Sequence, residues 1–104
     1  MDHSVDSTKV FLGGLLKSAI KPVILEALEF RGAPKPVELY VCEPKSDQHP
    51  RIAFAQYANA TEASVCIAIM NGVTDPSLTA SAVKAGHCLK NPFSVMQWLF
   101  CKGL

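Results

Sequence analysis

Residues 50–57 read PRIAFAQY, and this stretch has the alternation of a β-strand. Successive side chains of a strand point to opposite faces of a sheet, so Ala53 and Ala55 share one face while Phe54 lies on the other. The branched and aromatic residues in the run also favour a strand over a helix. We therefore predict a strand over residues 51–57.

The residues before this strand predict a strand–helix–strand unit. Residues 9–12, KVFL, are strand formers, and a pair of glycines ends the run. Apolar residues then recur at helical spacing, which predicts a helix over residues 21–30 that Gly32 ends. Residues 37–42 alternate with period two and predict a second strand, and a polar loop separates it from the third.

The residues after it predict a second helix and a fourth strand. Thr61 is expected to cap the helix, which Asn71-Gly72 ends, and residues 78–84 are expected to form the strand. The resulting βαββαβ order predicts an α+β, ferredoxin-like sandwich. In this fold both helices cover one face of a four-stranded antiparallel sheet, and the other face is open.

The end of the chain predicts one element more. Asn91-Pro92 is a typical helix start, with Asn as the cap and Pro at the first position, and the residues that follow are apolar on nearly every side. We divide the chain into a flexible N-terminal arm over 1–8, a domain over 9–90 and a C-terminal apolar helix over 91–104.

Composition limits the classes of function. The chain has 104 residues, which suits one domain, and its formal net charge is only +1. Binding of a nucleic acid would therefore depend on local contacts, because a strongly basic surface is missing. The four cysteines form no CxxC pair, so no metal site is predicted. No phosphate-binding loop or nucleophile–base pair is apparent, and we expect neither a cofactor nor enzymatic activity.

The sequence also bears on location. The N-terminus lacks the pattern of a secretory signal, and no apolar run is long enough to cross a membrane. We expect an intracellular protein, nuclear or cytoplasmic, that does not bind membranes.

Two of the predicted strands carry a family resemblance. Residues 10–15, VFLGGL, resemble the six-residue strand-one signature of RNA-recognition motifs, and residues 50–57 resemble the eight-residue strand-three signature. The two helices and the Asn71-Gly72 exit are similar to that pattern as well, so the resemblance covers about residues 9–84. It implies the fold predicted above and the binding of single-stranded RNA on the open sheet face.

The resemblance also implies which residues meet the RNA. Phe11 and Phe54 would lie side by side on the open face, where unpaired bases stack on aromatic rings. The full set that we predict to bind RNA is Lys9, Phe11, Arg51, Ile52, Phe54 and Gln56. The sequence departs from the family where an aromatic residue usually stands, at Ile52, and where a basic–glycine pair usually stands, at Pro50-Arg51.

The apolar C-terminal helix supports a second hypothesis. Its large side chains cannot all face water without forming a large apolar patch. The helix would lie across the sheet face, pack at the sheet edge, or contact another protein. The second hypothesis is a protein-interaction module that joins a ribonucleoprotein assembly through the sheet face or this helix, and the predicted partner contacts are Phe93, Met96, Trp98 and Phe100.

Overall fold

The structure is a computed structural model that describes residues 5–43 and 50–89. Within these residues, the strands and helices follow the predicted βαββαβ order: β1 (Val5–Leu15), α1 (Lys21–Phe30), β2 (Glu38–Cys42), β3 (Arg51–Gln56), α2 (Ala60–Met70) and β4 (Lys84–Leu89). The strands form one antiparallel sheet in the order β2-β3-β1-β4. The α+β, ferredoxin-like fold is therefore confirmed, while the predicted C-terminal helix lies outside the described residues.

The two helices and one face of the sheet enclose the main core. Leu28 of α1 and Met70 of α2 belong to the same buried cluster as Ala53 and Ala55 of β3. Each large apolar side chain that is buried in this way contributes about 1.5–3 kcal/mol to folding. The alternation predicted for β3 is therefore confirmed, with the alanines beneath the helices.

Tyr57 closes this core at the end of β3. Its ring is buried, and its hydroxyl donates a hydrogen bond to the Pro34 carbonyl oxygen at 2.8 Å. Burial, and after it the hydrogen bond with Cys66, raises the pKa of Tyr57 far above its usual value. The hydroxyl therefore keeps its proton and holds the linker between α1 and β2 against the sheet.

The ends of α1 follow from its sequence, and its predicted bounds are confirmed. Pro22 occupies the first turn, where its missing N–H has no partner to lose. Gly32 follows the helix with a φ of 78°. Its N–H donates to the Glu29 carbonyl at 3.1 Å and the Ala33 N–H donates to the Leu28 carbonyl at 2.9 Å. This is a Schellman ending, which requires a left-handed residue at the position of the glycine.

The cap of α2 differs from the prediction. Asn59, and not Thr61, precedes the helix, and the Asn59 side chain accepts a hydrogen bond from the Glu62 N–H at 2.9 Å. Asn59 has extended backbone angles, as a cap residue requires, whereas Thr61 already lies inside the first turn. Asparagine and threonine are both favourable cap residues. The helix begins at Ala60, so its cap is the residue before it, Asn59.

The predicted N-terminal arm is too long. β1 begins at Val5, which pairs with Leu89, and Asp6 pairs with Cys88. The polar residues before Lys9 therefore continue the sheet, because β4 supplies a hydrogen-bonding partner that local sequence does not reveal. The prediction of an arm over 1–8 is wrong from residue 5 onward.

The fourth strand is also displaced from its predicted position over 78–84, and β4 begins where that range ends. The Asp75 carboxylate accepts hydrogen bonds from the N–H and the hydroxyl of Ser77. The Asp75 carbonyl accepts the N–H groups of Leu78 and Thr79, so the chain turns here. Leu78 lies in this turn and is nevertheless buried. Because a buried apolar residue is also typical of a strand, local sequence does not distinguish the two.

Gly14 lies where β1 comes closest to the segment before β4. Its φ is 73°, and a Cβ atom added there would be 2.9 Å from the Ala82 carbonyl oxygen. The Gly14 carbonyl accepts a hydrogen bond from the Thr79 hydroxyl at 2.7 Å. The position therefore requires glycine for its backbone angle and for the space beside it.

We predict that the Asn59→Ala substitution lowers the free energy of unfolding by about 1 kcal/mol, because the Glu62 N–H loses its acceptor. Urea denaturation followed by circular dichroism measures this change. Thr61→Ala is the matched control and should leave the free energy of unfolding within about 0.5 kcal/mol of the original, since alanine is favourable inside a helix. A larger loss for Thr61→Ala than for Asn59→Ala would contradict the observed cap.

Candidate nucleic-acid interface

The face of the sheet opposite the helices is the candidate interface, and we call it the second face. Its residues follow from the strand pairing and from the alternation along each strand. From β2 to β4 they are Glu38, Tyr40, Cys42, Ile52, Phe54, Gln56, Lys9, Phe11, Gly13, Lys84, Gly86 and Cys88.

A row of aromatic residues crosses this face. Phe54 is opposite Phe11 on one side and opposite Tyr40 on the other, and Phe11 is opposite Gly86. The ring centroids of Phe11 and Phe54 are 5.9 Å apart, and the ring planes are tilted by 57°. The prediction that the two phenylalanines are neighbours on the central strands is therefore confirmed.

The exposure of the two rings differs from the prediction. Phe11 is only 4% exposed, and it forms a buried apolar cluster with Ile52 (6%) and Cys88 (2%). Phe54 packs against this cluster and is partly exposed. The expectation that Phe11 offers an open ring to solvent is wrong, because the ring is almost completely buried in this cluster.

Arg51 occupies a buried position at the start of β3. Its Nη2 donates to the Lys17 carbonyl at 2.8 Å, and its Nη1 is 3.4 Å from both the Cys42 carbonyl and the Glu43 carboxylate. The residue is 6% exposed, and its Nε is buried with no hydrogen-bond partner. The guanidinium thus joins the loop after β1 to the end of β2 and is not presented to solvent as a phosphate contact would be.

The two remaining polar residues of the predicted set lie at the other end of the face. The Gln56 amide donates to the Thr8 hydroxyl at 2.9 Å and to the Tyr57 carbonyl at 2.9 Å. Lys9 is partly buried, and its charge lies near the Cys88 thiol. Burial raises the pKa of Cys88 to about 12, although the Lys9 charge opposes the increase. The thiol is therefore protonated and uncharged at neutral pH.

Tyr40 is a residue of this face that the sequence analysis missed. It lies in the middle of β2, on the same face as Phe54, and is 54% exposed. The alternation of β2 was the available signal, since Leu39 belongs to the main core and Tyr40 must then point the opposite way. The sequence did not show that β2 lies beside β3, which places Tyr40 next to Phe54.

Comparison with known proteins identifies the architecture. No protein-family model matches the sequence, and no curated protein matches it either. Among solved structures, the third RRM domain of Mip6 superposes with a TM-score of 0.62 at 17% identity, over 83% of this chain and 98% of its own. The RRM of Rna15 with bound RNA (GU) gives 0.61 at 16% identity, over 89% of this chain and 95% of its own. The fold is that of an RNA-recognition motif.

A further match agrees with this assignment of the fold. The first two RRM domains of yeast Pub1 match with a TM-score of 0.61 at 21% identity, over 83% of this chain and 48% of theirs. The two segments that resemble the RRM signatures, residues 10–15 and 50–57, lie on β1 and β3, which pair at the centre of the sheet.

Residues 5–43 and 50–89 also bear on metal binding and on membrane insertion. No group of three or more His, Cys, Asp or Glu residues in these ranges is placed to hold a metal ion. No helix in the same ranges has the length and apolar character needed to cross a bilayer.

We predict that Arg51→Met lowers the free energy of unfolding by about 2–3 kcal/mol, because hydrogen bonds to a charged group are lost and the carbonyls of Lys17 and Cys42 lose their donor. Lys21→Met is the control, since Lys21 forms an exposed ion pair with Glu38 at 3.5 Å, and such pairs contribute about 0–1 kcal/mol. Urea denaturation measures both. Equal losses for the two variants would mean that the buried guanidinium does not hold the two segments together.

Proposed function

We propose that this domain binds single-stranded RNA on the second face, with unpaired bases stacking on Phe54 and Phe11. The observation that carries the proposal is the pair of phenylalanine rings, 5.9 Å apart on the two central strands and opposite the helices. The RRM fold supports it, as does the structure of the Rna15 RRM, which contains bound RNA. The proposed activity is binding, without catalysis.

The two rings would contribute in different ways. Phe54 is partly exposed and is ready to accept a base, whereas Phe11 is 4% exposed. Stacking on Phe11 therefore requires a local rearrangement that exposes its ring when RNA binds. Each base that stacks on an aromatic ring contributes about 1–3 kcal/mol to the free energy of binding.

Charge has a smaller part in the proposal. The net charge of the chain is +1, and Lys9 and Lys84 are the lysines that the described strands place on the second face. Few phosphate contacts predict a shallow dependence of the affinity on salt. Gln56 would line the path of the RNA, the buried Ile52 would support the second face from within the apolar cluster, and Arg51 would hold the loop after β1 in place.

We predict that Phe54→Ala weakens RNA binding by about 5- to 150-fold, the loss expected when one base loses its stacking partner. Fluorescence anisotropy measures the change, with short labelled single-stranded RNAs: one of G and U, and one homopolymer of each base. Phe30→Ala is the matched control, because Phe30 is 84% exposed at the end of α1 and lies off the sheet. Failure of the unaltered chain to bind any of these RNAs at moderate salt would contradict the proposal.

A second candidate function is that of a protein-interaction module in a ribonucleoprotein assembly. The burial of Phe11 and Ile52 favours it, because these two side chains then offer little surface to a stacked base. The predicted partner contacts, Phe93, Met96, Trp98 and Phe100, lie outside the described residues and remain a prediction.

We predict that replacing both Trp98 and Phe100 with serine abolishes association with a protein partner, if that partner binds the C-terminal segment, because two aromatic anchors are removed. Pull-down with the full chain measures partner binding, and circular dichroism checks that the fold is retained. A doubly substituted chain that stays monomeric, keeps its fold and loses no partner would exclude this use of the segment.

A further inference from the structure

We infer that Tyr40 on β2 is an additional stacking surface, so that the accessible platform for unpaired bases extends across β3 onto β2. This inference rests on the proposed binding of single-stranded RNA. It concerns the outer end of the aromatic row that crosses the second face, where Tyr40 is directly opposite Phe54.

The exposure of the row increases from the centre of the sheet toward β2. Phe11 is 4% exposed, Phe54 is partly exposed, and Tyr40 is 54% exposed. A base can stack only on a ring whose face it can reach. The aromatic surface available to a ligand therefore lies on the β3 and β2 side of the row, although the strand signatures point to β1 and β3.

Tyr40 also supplies an aromatic ring on the second face, which the strand-three segment lacks at Ile52. Ile52 stands where an aromatic residue is usual in RNA-recognition motifs, and its side chain is aliphatic and almost completely buried. Residues opposite each other on adjacent antiparallel strands have Cβ atoms about 4.5–5.5 Å apart. Tyr40 is therefore close enough to Phe54 for one RNA segment to contact both rings, and its hydroxyl can donate or accept a hydrogen bond.

The charges around Tyr40 do not oppose this use. Glu38 precedes it on the same face, and its carboxylate is 3.5 Å from the Lys21 ammonium. Glu43 follows β2, and its carboxylate is 3.4 Å from Nη1 of Arg51. Both carboxylates thus have a cation beside them, which reduces the repulsion that an RNA phosphate would meet at this edge of the sheet.

The test compares Tyr40→Thr with Tyr40→Phe in the full chain. Threonine is a strand former without a ring, so Tyr40→Thr removes the stacking surface and retains the preference for a strand. We expect Tyr40→Thr to weaken binding of the RNA that the unaltered chain prefers by about fivefold or more. Tyr40→Phe keeps the ring and should stay within about twofold of the unaltered chain.

Val37→Thr is the matched control, because Val37 is exposed just before β2 and carries no ring. Anisotropy measures the affinities, and two-dimensional NMR of each variant confirms its fold. In the unaltered chain, the ring protons of Tyr40 should shift upfield as RNA is added, since a stacked base shields them.

The outcomes separate the two proposals. If the unaltered chain binds RNA, and Tyr40→Thr binds as tightly with no shift of the Tyr40 ring protons, the inference is overturned while the proposed function stands. If Phe54→Ala weakens binding and Tyr40→Thr does not, the platform ends at β3. If the unaltered chain binds none of the RNAs, the proposed function fails, and the inference fails with it.

Discussion

The pairing of β1 with β3 is the constraint on which both faces of the sheet depend. Val10 is opposite Ala55 and Leu12 is opposite Ala53, so large and small residues face each other beneath the helices. The same register places the two phenylalanines opposite each other on the second face. A shift of one residue would reverse the faces, expose the core side chains and bury the aromatic row. The stability of the fold and the geometry of the candidate interface are therefore a single property of this strand pair.

Local patterns predicted the elements whose signals are local. The bounds of α1 were correct because a proline and a glycine mark its ends, and β3 was correct because its alternation is regular. β4 was misplaced because its residues, KAGHCL, have weak strand preferences and pair with β1 from a distance in sequence. The strand was predicted too early in the chain because Leu78, a buried apolar residue, lies in the turn that precedes β4. Long-range pairing, which propensity does not contain, accounts for these errors.

The candidate site was predicted only in part, because several of its properties also depend on long-range contacts. The neighbouring phenylalanines followed from strand signatures, whereas the burial of Phe11 depends on side chains from several strands and that of Arg51 on backbone carbonyls distant in sequence. Tyr40 was missed because its importance comes from the strand order, which places β2 beside β3. The buried position of Arg51 also explains why positive charge has a small part in the proposed binding. A cation that would otherwise be offered to phosphate stabilises the loop after β1, and affinity in the proposed function then depends on stacking.

Gly14 carries a consequence for evolution and for protein engineering. Among residues with a side chain, asparagine is one that tolerates the left-handed backbone angle found here. The obstacle is the Ala82 carbonyl, only 2.9 Å from where a Cβ atom would lie. Any side chain at position 14 would therefore clash with backbone, and the segment before β4 would have to move with it. Position 14 and the segment around Ala82 can therefore change only together, and a substitution at position 14 alone would make the protein less stable.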